Sequence, residues 1–139
     1  MSLDISQGRV SKSELRKAFA EFRVPQTFLT PEGLVAIDVV ARELRLTKAS
    51  LAASIGLAEE TLQRNVRLNA PKTQQRLREM LEILSRVAPW AGGLPQALGW
   101  YRGQGIPALG QQTAEALVKK DQASAVREYL DALAVGAFA

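Results

Sequence analysis

Proline and glycine divide this chain at short intervals, and between the breaks its apolar residues recur three and four positions apart. Pro25, Pro31, Gly56, Pro71, Pro89, Gly92–Gly93, the Gly103–Gly110 stretch and Gly136 are the main breaks. A period of three to four is the signature of amphipathic helices. The alternation that would mark a half-buried strand is absent. The expectation is therefore an all-α protein.

Helix starts and stops can be read from capping chemistry. Ser11-x-x-Glu14 has the form of a capping box, and Leu15, Ala18, Phe19 and Phe22 then share one face up to Pro25. Thr30-Pro31-Glu32 reads as a second start, with Leu34, Ile37, Val40, Ala41 and Leu44 forming a largely buried stripe. Thr47 caps a short helix over 48–55, which ends at Gly56. A further helix is expected over 59–68, with Leu62 and Val66 inward. After Asn69-Ala70-Pro71 comes a long helix with Leu77, Met80, Leu81, Leu84 and Val87 inward and Lys72, Arg76, Arg78 and Arg86 outward. Pro89 and Gly92–Gly93 mark a subdomain boundary. Beyond it follow a helix over 94–101, a Gly/Pro loop over 103–110, a helix capped by Thr113 and a last helix over 123–133. The implied organisation is an N-terminal extension (1–30), a helix-turn-helix bundle (31–88) and a small helical unit (89–139).

Composition narrows the chemistry. There is neither cysteine nor histidine, so thiol nucleophiles, Cys/His zinc sites and imidazole-based triads are excluded. Carboxylates such as Glu14, Glu21, Asp38, Glu82, Glu115, Asp121, Glu128 and Asp131 are scattered and mostly neighbour a Lys or Arg. Gly103-x-Gly105 lacks the strand–helix context and the Lys-Ser/Thr of a phosphate loop. No enzyme, cofactor or metal is expected. There is no basic-then-apolar leader and no apolar run of about 20 residues, which points to a cytoplasmic protein without a membrane span.

The net charge of +4 is concentrated in the middle: residues 47–86 carry seven basic and four acidic side chains. The same segment meets the requirements of a helix-turn-helix. Ala52 is small at the crossing, Gly56 permits the turn, and Leu51, Ile55, Leu57 and Leu62 supply a miniature core. In that arrangement Lys48, Thr61, Gln63, Arg64 and Arg67 are the candidates to reach bases or phosphates. Glu59 and Glu60 stand at the same helix start, where they favour the helix dipole but oppose phosphate.

The end of the chain has its own pattern. Trp100-Tyr101-Arg102 precedes a loop with Pro107-Ala108-Leu109-Gly110, followed by the Thr113 cap. The last segment reads Val126-x-x-x-Leu130-x-x-Leu133-x-x-Gly136-x-Phe138-Ala139. This order resembles the toxin-binding domain of the Xre/MbcA/ParS antitoxins, which join it to a Xre-like helix-turn-helix. The resemblance covers roughly residues 31–139. It departs at Ala114, where the family usually has proline, at Gln122, usually glycine, and at Val135, often aromatic.

The resemblance implies an antitoxin of a type II toxin–antitoxin system. Its partner would be a RES-domain toxin that consumes NAD, and it would bind its own operator, usually as a homodimer. Carried over by position, the toxin-contacting residues are Trp100, Arg102, Pro107, Leu109, Gly110, Thr113, Gly136, Phe138 and Ala139, with Phe138 anchoring a tail in the toxin's cleft. The competing expectation is a stand-alone transcription regulator whose C-terminal unit dimerises or senses a ligand.

Overall fold

The computed structural model describes residues 24–136. The expected N-terminal helix, with its Ser11–Glu14 box and the Leu15/Phe19/Phe22 face, lies outside these residues, as do Phe138 and Ala139. The described residues are all-helical, with two isolated bridges, Leu29 with Val35 and Ile106 with Gln112, and no strand. A 3-10 turn at Gln26–Phe28 opens the order. It is followed by α1 (Ile37–Leu44), α2 (Lys48–Ser54), α3 (Glu59–Gln63), α4 (Asn65–Leu68), α5 (Pro71–Ala91) and α6 (Leu94–Gly103). After a second 3-10 turn, Pro107–Leu109, come α7 (Ala114–Lys119) and α8 (Ala123–Gly136). No helix among the described residues is long and apolar enough to cross a membrane.

Several helix ends follow the caps read from sequence. The Thr47 hydroxyl accepts from Ser50 N at 3.0 Å, and Thr113 does the same for Ala116 N at 3.1 Å. Gly56 follows α2 at φ +74°, a left-handed conformation that glycine adopts without a Cβ clash. The start expected at Thr30-Pro31 is not a helix. Those residues form a turn in which the Thr30 hydroxyl accepts from Leu34 N and Gly33 takes φ +84°. The turn is closed by the Leu29–Val35 bridge, and Val35 is buried. Gly33 is the signal that the proline motif obscured, since a left-handed residue halts a helix within one turn.

The helix expected over 59–68 is also interrupted. Arg64 is extended at φ −110°, ψ 123°, which separates α3 from α4. Without proline or glycine there, periodicity carries no signal of the break. In a helix this short, nucleation is marginal and packing decides.

One apolar cluster runs from Phe28 and Val40 through Leu51, Ile55, Leu77, Met80 and Leu84 to Ile106, Leu117, Val126 and Leu130. The inward set expected on α5 is buried throughout. Pro89 lies inside α5, and the helix ends two residues later at Ala91, with Gly92 left-handed behind it. The expected boundary at 88–89 thus falls within a continuous helix.

Two of the cations expected outside are buried. Arg76 places Nε and Nη2 on the two carboxylate oxygens of Asp121, at 3.1 and 3.3 Å, and donates from Nη1 to Ile55 O at 3.0 Å. Arg86 is also buried and pairs with Asp131. Arg127 of α8 pairs with Glu82. These three pairs join α5 to α8 and to the turn before it. Helical periodicity cannot distinguish a solvated arginine from one folded onto a distant carboxylate, because the partner is set by tertiary packing.

Candidate functional site

The residues expected to touch DNA do not share one helix. Lys48 opens α2 and lies 3.4 Å from Asp38. Thr61 is half-buried on α3, and the exposed Gln63 side chain donates to Glu59 Oε1 at 3.2 Å. Arg64 is exposed at the extended break, and Arg67 is exposed on α4. Below them, Leu51, Ala52, Ile55 and Leu62 are buried and Leu57 is partly so, as expected for the small core of the α2–α3 pair. The contacts of Lys48 and Gln63 are solvent-exposed, so they hold weakly and can open to another anion.

The C-terminal candidates divide into separate roles. Arg102 is turned towards α2, donating to Ser54 Oγ at 2.6 Å and Ser50 O at 3.4 Å, with Glu115 of α7 3.7 Å away. Its neighbour Tyr101 is fully buried and donates to Ser54 O at 2.9 Å. Burial pushes the Tyr101 hydroxyl far above the usual tyrosine value, and the Glu115 and Glu79 carboxylates add to the shift.

Pro107 and Gly110 are exposed on the 3-10 turn, with Leu109 half-buried between them. The turn is closed by the Ile106–Gln112 bridge and passes through two left-handed residues, Gly110 at φ +68° and Gln111 at φ +62°. Thr113 is engaged as the cap of α7, and Gly136 is exposed at the end of α8.

Trp100 points elsewhere. Together with Val87, Trp90 and Ala91 of α5 and Leu130 and Leu133 of α8, it lines an apolar cleft of about 190 Å³. Trp90 and Leu133, 41% and 43% exposed, are the large exposed apolar residues among those described, and both line this cleft. Trp90 was not foreseen from sequence, although its place three residues after Val87 and next to Ala91 is a legible helical-face signal. Tyr101, Ser54 and the Arg76–Asp121 pair were also missed. They join segments far apart in sequence, and no local pattern marks them.

Two carbonyls at the end of α2 are held by donors from outside it: Tyr101 donates to Ser54 O, and Arg76 to the O of Ile55 just beyond. Arg102 adds a longer contact to Ser50 O, which also accepts from the Ser54 hydroxyl of the same helix. The last carbonyls of a helix have no partner within it. In this protein α5 and α6 supply donors for them, which ties the α2–α3 pair to those helices. No family model, curated protein or solved structure matches the chain.

Proposed function

We propose that the protein is an antitoxin of the Xre/MbcA/ParS kind, whose C-terminal helices seat a RES-domain toxin and whose α2–α4 region binds operator DNA. The observation that carries the partner-binding half is the apolar cleft bearing Trp90, Trp100 and Leu133. Exposed aromatic and aliphatic side chains grouped in a concavity are typical anchors of protein interfaces. The toxin class rests on the sequence resemblance at Trp100, the Pro107–Gly110 turn, the Thr113 cap and the last helix. The exposed Arg64 and Arg67, in the segment of basic surplus, support the DNA half.

Arg102 also braces α2 from within the fold, and Thr113 also caps α7. Trp100, the exposed turn and Gly136 are the carried-over residues that this reading relies on most for contact.

Co-expression with a RES toxin encoded by the neighbouring reading frame tests the central idea. Full-length chain should neutralise it and co-purify with it. Leu133→Asp combined with Trp90→Ala, at the two most exposed positions of the cleft, should lose both properties while still unfolding cooperatively. Neutralisation undiminished in that folded variant would refute the cleft as the partner's seat. For DNA, Arg64→Ala with Arg67→Ala should weaken promoter binding and flatten its salt dependence without affecting toxin binding.

A further inference from the structure

A second concavity, distinct from the Trp100 cleft, lies between the first 3-10 turn and the end of α5. It measures about 530 Å³, and its apolar walls come from Pro25, Phe28, Ala88, Pro89 and Leu94. That volume lies in the range that takes in most of a drug-sized molecule, so it can accept several side chains. Ser85, also in its wall, has a buried hydroxyl without a hydrogen-bond partner. Its carbonyl is the one that Pro89, having no N–H, leaves without the usual helical donor. Glu43 adds negative charge at the groove.

We propose that this groove is the seat of the chain's own residues 11–23, held within the same molecule. Three observations select this occupant. Leu15, Ala18, Phe19 and Phe22 are spaced to form one apolar face, the form in which a helix fills a hydrophobic groove. The tether is short: Pro25 is part of the wall, so three backbone steps keep Phe22 within about 11 Å of it. Such a link gives the segment a high effective concentration at the groove. Charge is also compatible, because Lys12, Arg16, Lys17 and Arg23 outnumber Glu14 and Glu21, and the charged residue lining the groove is Glu43, which faces Arg42 Nε at 3.8 Å. The assignment does not depend on the antitoxin reading.

The absence of cysteine in the full chain makes a direct test possible. Ala18→Cys and Ala88→Cys are introduced together and treated with a short bismaleimide, which tolerates small differences in register. The control pairs Ala18→Cys with Ala132→Cys, an exposed alanine on α8. Docking within the molecule predicts a cross-linked monomer forming at least about tenfold faster than in the control. Adding Phe19→Asp should return the rate to the control level. A cross-linked dimer would assign the groove to a second copy and overturn the proposal, and so would cross-linking at the control rate. In the cysteine-free parent, amides of residues 15–22 should exchange more slowly than those of residues 2–10. Equal exchange would also overturn it.

Discussion

Replacing Tyr101 by phenylalanine removes a single oxygen from a fully buried ring and leaves its volume nearly unchanged. That oxygen donates to Ser54 O at 2.9 Å, and Ser54 is itself fully buried at the end of α2. The carbonyl is one that its own helix cannot satisfy. The net value of a typical hydrogen bond is about 0.5–1.5 kcal/mol, and stranding a buried acceptor costs about 1–3 kcal/mol. Because phenylalanine preserves the packing, no cavity contribution is expected, and the loss should be about 2 kcal/mol. For a chain of this size that lowers Tm by roughly 5–10 °C. Urea denaturation followed by circular dichroism reads it as a lower midpoint at unchanged slope. A loss below about 0.5 kcal/mol would mean that the bond does not brace α2. A changed slope would mean that the substitution altered the unfolded or native ensemble instead.

The same tyrosine sets an alkaline limit. Its folded-state pKa lies above the ordinary value of 10.0, so its contribution is complete below pH 10 and declines as pH rises towards the folded value. Wild type should lose stability above pH 10 by up to about 1.4 kcal/mol per pH unit more than Tyr101→Phe. Parallel pH curves would refute this. At the acid end, the hydrogen bonds from Arg76 hold the Asp121 carboxyl below its ordinary value of 3.8. The stability it contributes is present above that pH and is lost as pH falls through the lowered value, so Asp121→Asn should flatten the acid limb of the stability curve. Gly105→Ala should destabilise the loop by about 1–3 kcal/mol, because the new Cβ would meet the Gln111 carbonyl oxygen at 2.7 Å. An unchanged melt for that variant would show that the loop yields easily.

How far the sequence can be read depends on how local the determining physics is. Capping and left-handed stops act within a turn, so Thr47, Thr113 and Gly56 are legible, and so is the buried stripe of α5. The all-helical class follows from the same periodicity. Trp100 stood out in the sequence, but the cleft that it lines did not. Where two local signals competed, as Pro31 did with Gly33, the sequence admitted both readings, and the buried Val35 of the closed turn was decisive.

Only the tertiary structure decided the rest. It paired Arg76 with Asp121 and Arg86 with Asp131, turned Arg102 inward onto Ser54, and brought Trp90 and Leu133 beside Trp100. Apart from Trp90 and Trp100, which are ten residues apart, each of these relations spans about thirty to fifty residues of chain. A charged side chain on a helical face reads the same in sequence whether it ends in water or on a distant carboxylate. The packing angle of the helices, set by the shared core, selects between them.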